Sequence, residues 1–188
     1  MKVCIYMTIL FNLMILHSCG LPSSDDLEDL QVPMGLKAKV ICSGTTPEGI
    51  EITFYGYNPE NFFSGYNVYI VKSPYNAYDN VYYYVYSHKK IDSQNRPYFD
   101  NNIELAAVVQ NENNLYPTIT LNYLASNYPN YPQKPTQIKF NITKTPVNID
   151  NGNFISGSTY AIGVTAISYS NTIETIVSNV VSIVYQCP

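Results

Sequence analysis

Hydrophobic residues in this chain recur mainly at every second position, the spacing of strands rather than of helices. The clearest case runs from Phe154 to Ile167. A turn cluster, Ser156-Gly157-Ser158, opens onto Tyr160, Ile162, Val164 and Ala166 in one phase, with Ala161, Gly163 and Thr165 in the other. An apolar phase set against a small or polar one predicts a strand resting a single face on a core. Similar alternation predicts strands over 33–41, 49–55 and 64–72. Ile50, Ile52 and Phe54 would point inward from the second, and Tyr66, Val68 and Ile70 from the third. Runs at 81–86, 137–142 and 179–185 bring the total to seven, with turn residues filling 43–49. Seven short strands separated by turn signals predict an all-β fold, a two-sheet sandwich.

The alternation fails between Ser87 and Pro135. Ile103 to Val109 reads as either strand or helix, and Leu121 to Leu124 precedes a Pro/Tyr/Asn segment at 127–135. This stretch is expected to be an insertion of about 87–135 between framework strands, where added length costs little closure entropy. No internal repeat is visible, so the insertion is not a second copy of the domain.

Composition narrows the function more than the fold. A chain of 188 residues with 46% hydrophobic content can bury one sizeable core. Its formal charge is −4, or −5 without Lys2, with no run of basic residues. Phosphate-backbone binding needs such a run, so nucleic acid is not expected as a partner. His88 is the one histidine after His17, and no nucleophile or orienting acid accompanies it in sequence. From Glu48 onward the carboxylates are scattered singly, and the four cysteines lack metal-ligand spacing. Neither a metal nor a cofactor is expected. Tyrosine is what the chain has in excess. Tyr75, Tyr78, Tyr82, Tyr84 and Tyr86, with Tyr128 and Tyr131 further on, are candidates for a binding surface, because Tyr offers large contact area at low entropic cost. The competing reading makes these rings core filler in a chain with no Trp.

The first residues read as an export signal. Lys2 precedes an apolar run from Val3 to Leu16, too short to span a bilayer comfortably. The run ends Leu16-His17-Ser18-Cys19, which resembles a bacterial lipobox, with His17 departing from its usual small or aliphatic residue. The looser form is similar to those of spirochaete lipoproteins. This resemblance implies a signal peptide over 1–18 and lipid attached to Cys19, on an outer membrane or cell surface. An ordinary cleaved signal with an incidental cysteine is the alternative. The acidic stretch after Cys19 predicts a flexible tether over 19–32, leaving 33–188 as the folded domain.

Phe154 to Ile167 also has the form of a tyrosine corner, in which Tyr160 packs inward and its hydroxyl bonds to backbone upstream. Together with Gly65-Tyr66-Asn67-Val68-Tyr69 and the approach Glu174 to Asn179, it resembles a fibronectin type III domain of bacterial surface proteins. The resemblance implies an immunoglobulin-like sandwich with the insertion between strands C′ (81–86) and E (137–142), and Phe54 where that family usually carries Trp. In that template Cys42 ends the first strand (A, 33–41) and Cys187 follows the last (G, 179–185) at the same pole, so the two are expected to form a disulfide. It further implies a non-catalytic, membrane-anchored binding or spacer module, adhesive in one version, with a protein or glycan ligand. The alternatives are a carbohydrate-binding module using the Tyr-rich surface or, further off, a small hydrolase.

Overall fold

The computed structural model describes residues 30–72, 89–91, 97–99, 107–109, 117–147, 149–169 and 173–188. Strand β1 (Met34–Ser43) turns back into β2 (Thr46–Gly56) through Gly44-Thr45, with Ser43 facing Thr46. The whole of 43–49 was expected to be turn. Gly44 alone supplies the left-handed backbone a tight hairpin needs, at φ +60°, so β2 starts three residues earlier than its alternation suggests. The remaining strands are β3 (Phe63–Lys72), β4 (Lys89–Ile91), β5 (Pro97–Phe99), β6 (Ala107–Val108), β7 (Ile119–Thr120), β8 (Thr136–Ile142), β9 (Thr159–Ser168) and β10 (Val181–Val184). One short helix, α1 (Leu121–Asn127), follows β7 and is capped by the Thr120 hydroxyl, which accepts from the Tyr123 N–H.

These strands form an all-β sandwich. One sheet has the order β1–β2–β8, the other β10–β9–β3–β6 with β7 also on β3, and every pairing is antiparallel. Strands β4 and β5 make a separate hairpin. The core takes Ile50, Ile52 and Phe54 from β2, Ile138 and Ile142 from β8, and the Tyr66 and Tyr160 phases of β3 and β9. Each of these large side chains contributes about 1.5–3 kcal/mol by leaving water. Phe54 meets the Tyr66 ring edge-on at 5.1 Å, two medium aromatics in a core without Trp.

The second sheet departs from expectation. Both phases of β3 and β9 are buried, including Asn67, Tyr69, Val71, Ala161, Thr165 and Ile167. Ala161 and Gly163 read as a solvent phase because they are small, but small side chains are also what close packing against a face requires. Tyr69 and Val71 carry the opposite hint, since a solvated phase rarely holds two large apolar residues. At Gly65 the backbone takes φ +147°. A Cβ there would stand 2.2 Å from the Ile119 carbonyl oxygen, so only glycine lets β7 cross so close.

The last strand was expected over 179–185, and its regular part is Val181–Val184. Upstream, the chain already runs along β9. Glu174 bridges Ile167, the Thr175 N–H donates to the Ala166 carbonyl and the Ser178 N–H to the Val164 carbonyl. In return, the Thr175 and Ser178 hydroxyls accept from the Ala166 and Val164 N–H groups. Side chains thus stand in for ladder carbonyls where the backbone bulges away from β9.

Two ties join β1 to the β10 segment across the open side of the sandwich. The Asn179 side-chain amide donates to the Leu36 carbonyl and accepts from the Leu36 N–H, at 2.9 and 2.8 Å. Further along, Cys42 and Cys187 form a disulfide with Cα atoms 6.0 Å apart. The ties come in the same order along both segments, so β1 and β10 run in the same direction. The expected pairing of the cysteines is present. At the far edge of the first sheet, the Tyr128 hydroxyl accepts from the Lys139 N–H and donates to the Lys139 carbonyl, which Tyr123 also reaches.

Leu30, assigned by sequence to the tether, is 4% exposed and part of the core. The Asn58 side chain clasps the next residue, accepting from the Gln31 N–H and donating to its carbonyl.

Candidate functional site

Of the candidates read from sequence, Cys19 and Tyr75, Tyr78, Tyr82, Tyr84 and Tyr86 lie outside the described residues, as do His88 and the strand expected at 81–86. Among the described residues, three polar clusters and one charged sheet face stand out, and Tyr131 and Tyr160 fall within two of the clusters.

The first cluster surrounds the Tyr66 hydroxyl at the pole where the chain enters β1. Gly56 leaves room for it, since a Cβ there would stand 2.2 Å from the oxygen. The Asn58 amide donates to it at 3.1 Å and the Tyr131 hydroxyl shares a hydrogen bond with it at 2.8 Å. Burial pushes the Tyr66 phenol up to about 12, partly offset by its bonds to Tyr131 and Asn58. Burial raises Tyr131 as well, followed by the adjacent Tyr66. Tyr131 is half-buried, its ring 6.2 Å from Phe63. Tyr128 is also half-buried, with its hydroxyl on the backbone of Lys139. Both rings of the proposed binding surface that can be placed have their hydroxyls engaged within the chain.

The second cluster is one that sequence reading missed. On the outer phase of β3 and β9, the Tyr69 and Thr165 hydroxyls donate to Glu174 Oε1 at 2.6 and 2.5 Å, and the Asn67 amide approaches the same oxygen at 3.4 Å. Burial drives the Tyr69 phenol far above its ordinary value. The available signal was Tyr69 itself, an aromatic in the phase assigned to solvent. Glu174 had been noted only for its place in the approach to the last strand.

The third cluster holds the tyrosine corner. Tyr160 is buried, accepts from the Ile155 N–H at 2.9 Å and donates to Asp150 Oδ2 at 2.8 Å. Lys72, at the end of β3, pairs with the other Asp150 oxygen. Phe154 meets Tyr160 edge-on at 5.0 Å and stacks on Tyr185 at 4.8 Å. Burial raises the Tyr160 phenol to about 12, the Ile155 bond opposing and Asp150 adding to the shift. Phenols held this high stay protonated at neutral pH and keep a proton to donate within their hydrogen bonds. Among the described residues, no group of three His, Cys, Asp or Glu is placed to hold a metal ion.

The outer face of the three-stranded sheet is the remaining candidate. Cross-strand rows place Met34, Tyr55 and Gln137 together, then Lys37, Thr53 and Lys139, then Lys39, Glu51 and Asn141. Glu51 pairs with Lys39 at 3.0 Å and Lys139 at 3.3 Å. Its carboxyl sits below the usual range, first through the hydrogen bond from Lys39 and then that from Lys139, with desolvation opposing. No helix among the described residues is long and apolar enough to cross a membrane. No protein-family model matches the chain, and no curated protein or solved structure matches it either.

Proposed function

We propose that this chain is an exported surface lipoprotein, anchored through an acylated Cys19, whose β-sandwich serves as a non-catalytic binding or spacer module. The observation that carries the reading is the Cys42–Cys187 disulfide in a chain whose leader ends Leu16-His17-Ser18-Cys19. Disulfides persist in oxidising compartments, and a lipobox-like ending is what directs an exported chain to acylation. The grouping β1–β2–β8 against β10–β9–β3 supports the likeness to a type III domain, because immunoglobulin-type sandwiches set strands A, B and E against C, F and G. The three polar clusters support a structural use of the polar groups, since each hydroxyl answers a partner inside the chain.

The test is detergent phase partitioning of the wild-type protein beside Cys19→Ala, with the mass of the N-terminal peptide measured in parallel. The wild type is expected in the detergent phase with two or more acyl chains, since one chain alone anchors only marginally. Both proteins partitioning into water, with no acyl mass on Cys19, would overturn the reading.

A further inference from the structure

We infer that the outer face of the β1–β2–β8 sheet lies against the anionic surface of the bilayer in which the chain is anchored. The inference rests on the lipoprotein reading above and adds an orientation to it. Composition hides this face, because the whole chain is acidic. The fold collects Lys37, Lys39 and Lys139 on one side of one sheet, all three exposed. Glu51 offsets one of these charges, and Lys37 pairs with no acid among the described residues. The face therefore presents two net positive charges within two adjacent cross-strand rows.

The row at the tether end sets two exposed apolar side chains beside Gln137. Met34 is 66% exposed and Tyr55 is 49% exposed, and they face each other across β1 and β2. Exposed apolar side chains bordered by lysines are the composition of surfaces that rest in the headgroup region. The ring and thioether enter the acyl boundary while the ammonium groups stay among the phosphates.

Chain length keeps the sandwich close to the bilayer. Leu30 is fixed in the core and Gln31 is clasped by Asn58, so only the eleven steps from Cys19 to Leu30 separate the lipid from the sandwich. Fully extended they reach about 40 Å, and as a flexible coil about 20 Å. The chain then enters β1 at Met34, the corner of this same face.

The absence of Trp from the chain supplies a clean reporter. The full-length exported protein carrying Tyr55→Trp is mixed with vesicles of brominated phosphatidylcholine, alone or with equal parts of brominated phosphatidylglycerol. A second protein carries Val184→Trp, at a half-exposed site on β10 of the other sheet. Quenching is expected for Tyr55→Trp on the anionic vesicles and not for Val184→Trp. Two net charges at about fivefold each make the ratio of docked to undocked protein about 30-fold higher on anionic than on neutral vesicles. Lys37→Gln with Lys39→Gln and Lys139→Gln should abolish that difference. Molar salt should do the same without altering the protein, since it shortens the screening length to about 3 Å.

An acylated protein whose Tyr55→Trp reporter is not quenched on anionic vesicles overturns the docking and leaves the anchor standing. Equal quenching on neutral vesicles overturns the role given to the lysines. A Cys19 peptide without acyl mass overturns the anchoring reading and, with it, the tethered docking.

Discussion

Replacing both Cys42 and Cys187 by Ser should remove one of the largest single contributions to stability. The bond closes a loop of 145 residues. On the chain-entropy account, closing a loop of that length stabilises by about 5 kcal/mol, an upper figure because unfolded chains retain structure of their own. Measured losses on removing native disulfides are about 2–5 kcal/mol. A domain of this size has about 5–15 kcal/mol in total, so the variant should remain folded at room temperature with little to spare. Urea unfolding reads the loss directly. With a slope of about 2 kcal/mol per molar, the midpoint should fall by roughly 1–2.5 M. Each single Cys→Ser variant should lose about as much as the double, because either one opens the loop. The Asn179 clasp on Leu36 spans nearly the same loop but is non-covalent, so it is lost on unfolding and cannot keep the loop closed. A double variant within about 0.5 kcal/mol of wild type, or two free thiols titrating in the exported protein at these positions, would refute the reasoning.

Tyr160→Phe should cost about 1–3 kcal/mol in the same assay, because it leaves both the Ile155 N–H and an Asp150 oxygen without their partner; a loss under about 0.5 kcal/mol would contradict the corner. Gly65→Ala should cost at least about 2 kcal/mol, since its Cβ would press on the Ile119 carbonyl and its φ disfavours any side chain; a neutral result would mean β7 does not cross β3 there. Alkaline pH should destabilise the fold through Tyr66 and Tyr160, whose folded values of about 12 exceed the ordinary value near 10. Their contribution is complete below about pH 10 and is lost as pH rises toward 12, at about 1.4 kcal/mol per pH unit for each tyrosine. Urea midpoints that stay level from pH 9 to 12 would sink that expectation.

The framework strands were legible because their alternation is strict where one sheet face meets the core. Ile50, Ile52 and Phe54, and Tyr160, Ile162 and Val164, are buried as their phase predicts. The cysteine pairing was legible only through the template, which placed the ends of two strands at one pole. What escaped were features that alternation does not encode. A phase containing Gly163 and Ala161 looks the same whether water or packed chain lies over it. Glu174, Thr165 and Tyr69 are drawn together by strand pairing, with no local spacing to announce them. Asp150 meets Lys72 and Tyr160 for the same reason. Leu30 escaped differently, because one apolar residue among acids resembles a tether until Asn58 clasps its neighbour.

The disulfide has a mechanical consequence. Suppose the chain is pulled between a point before Leu30 and a point beyond Cys187. The load enters β1, crosses at Cys42 to Cys187 and leaves, bypassing every residue between them. Strands β2 to β10 hang from this path as a sealed loop that bears no tension. Stretching can peel β1 off its neighbour, yielding the short length from Leu30 to Cys42, and then meets a covalent stop. The sandwich is built as a link of nearly fixed length, whatever unfolds within it.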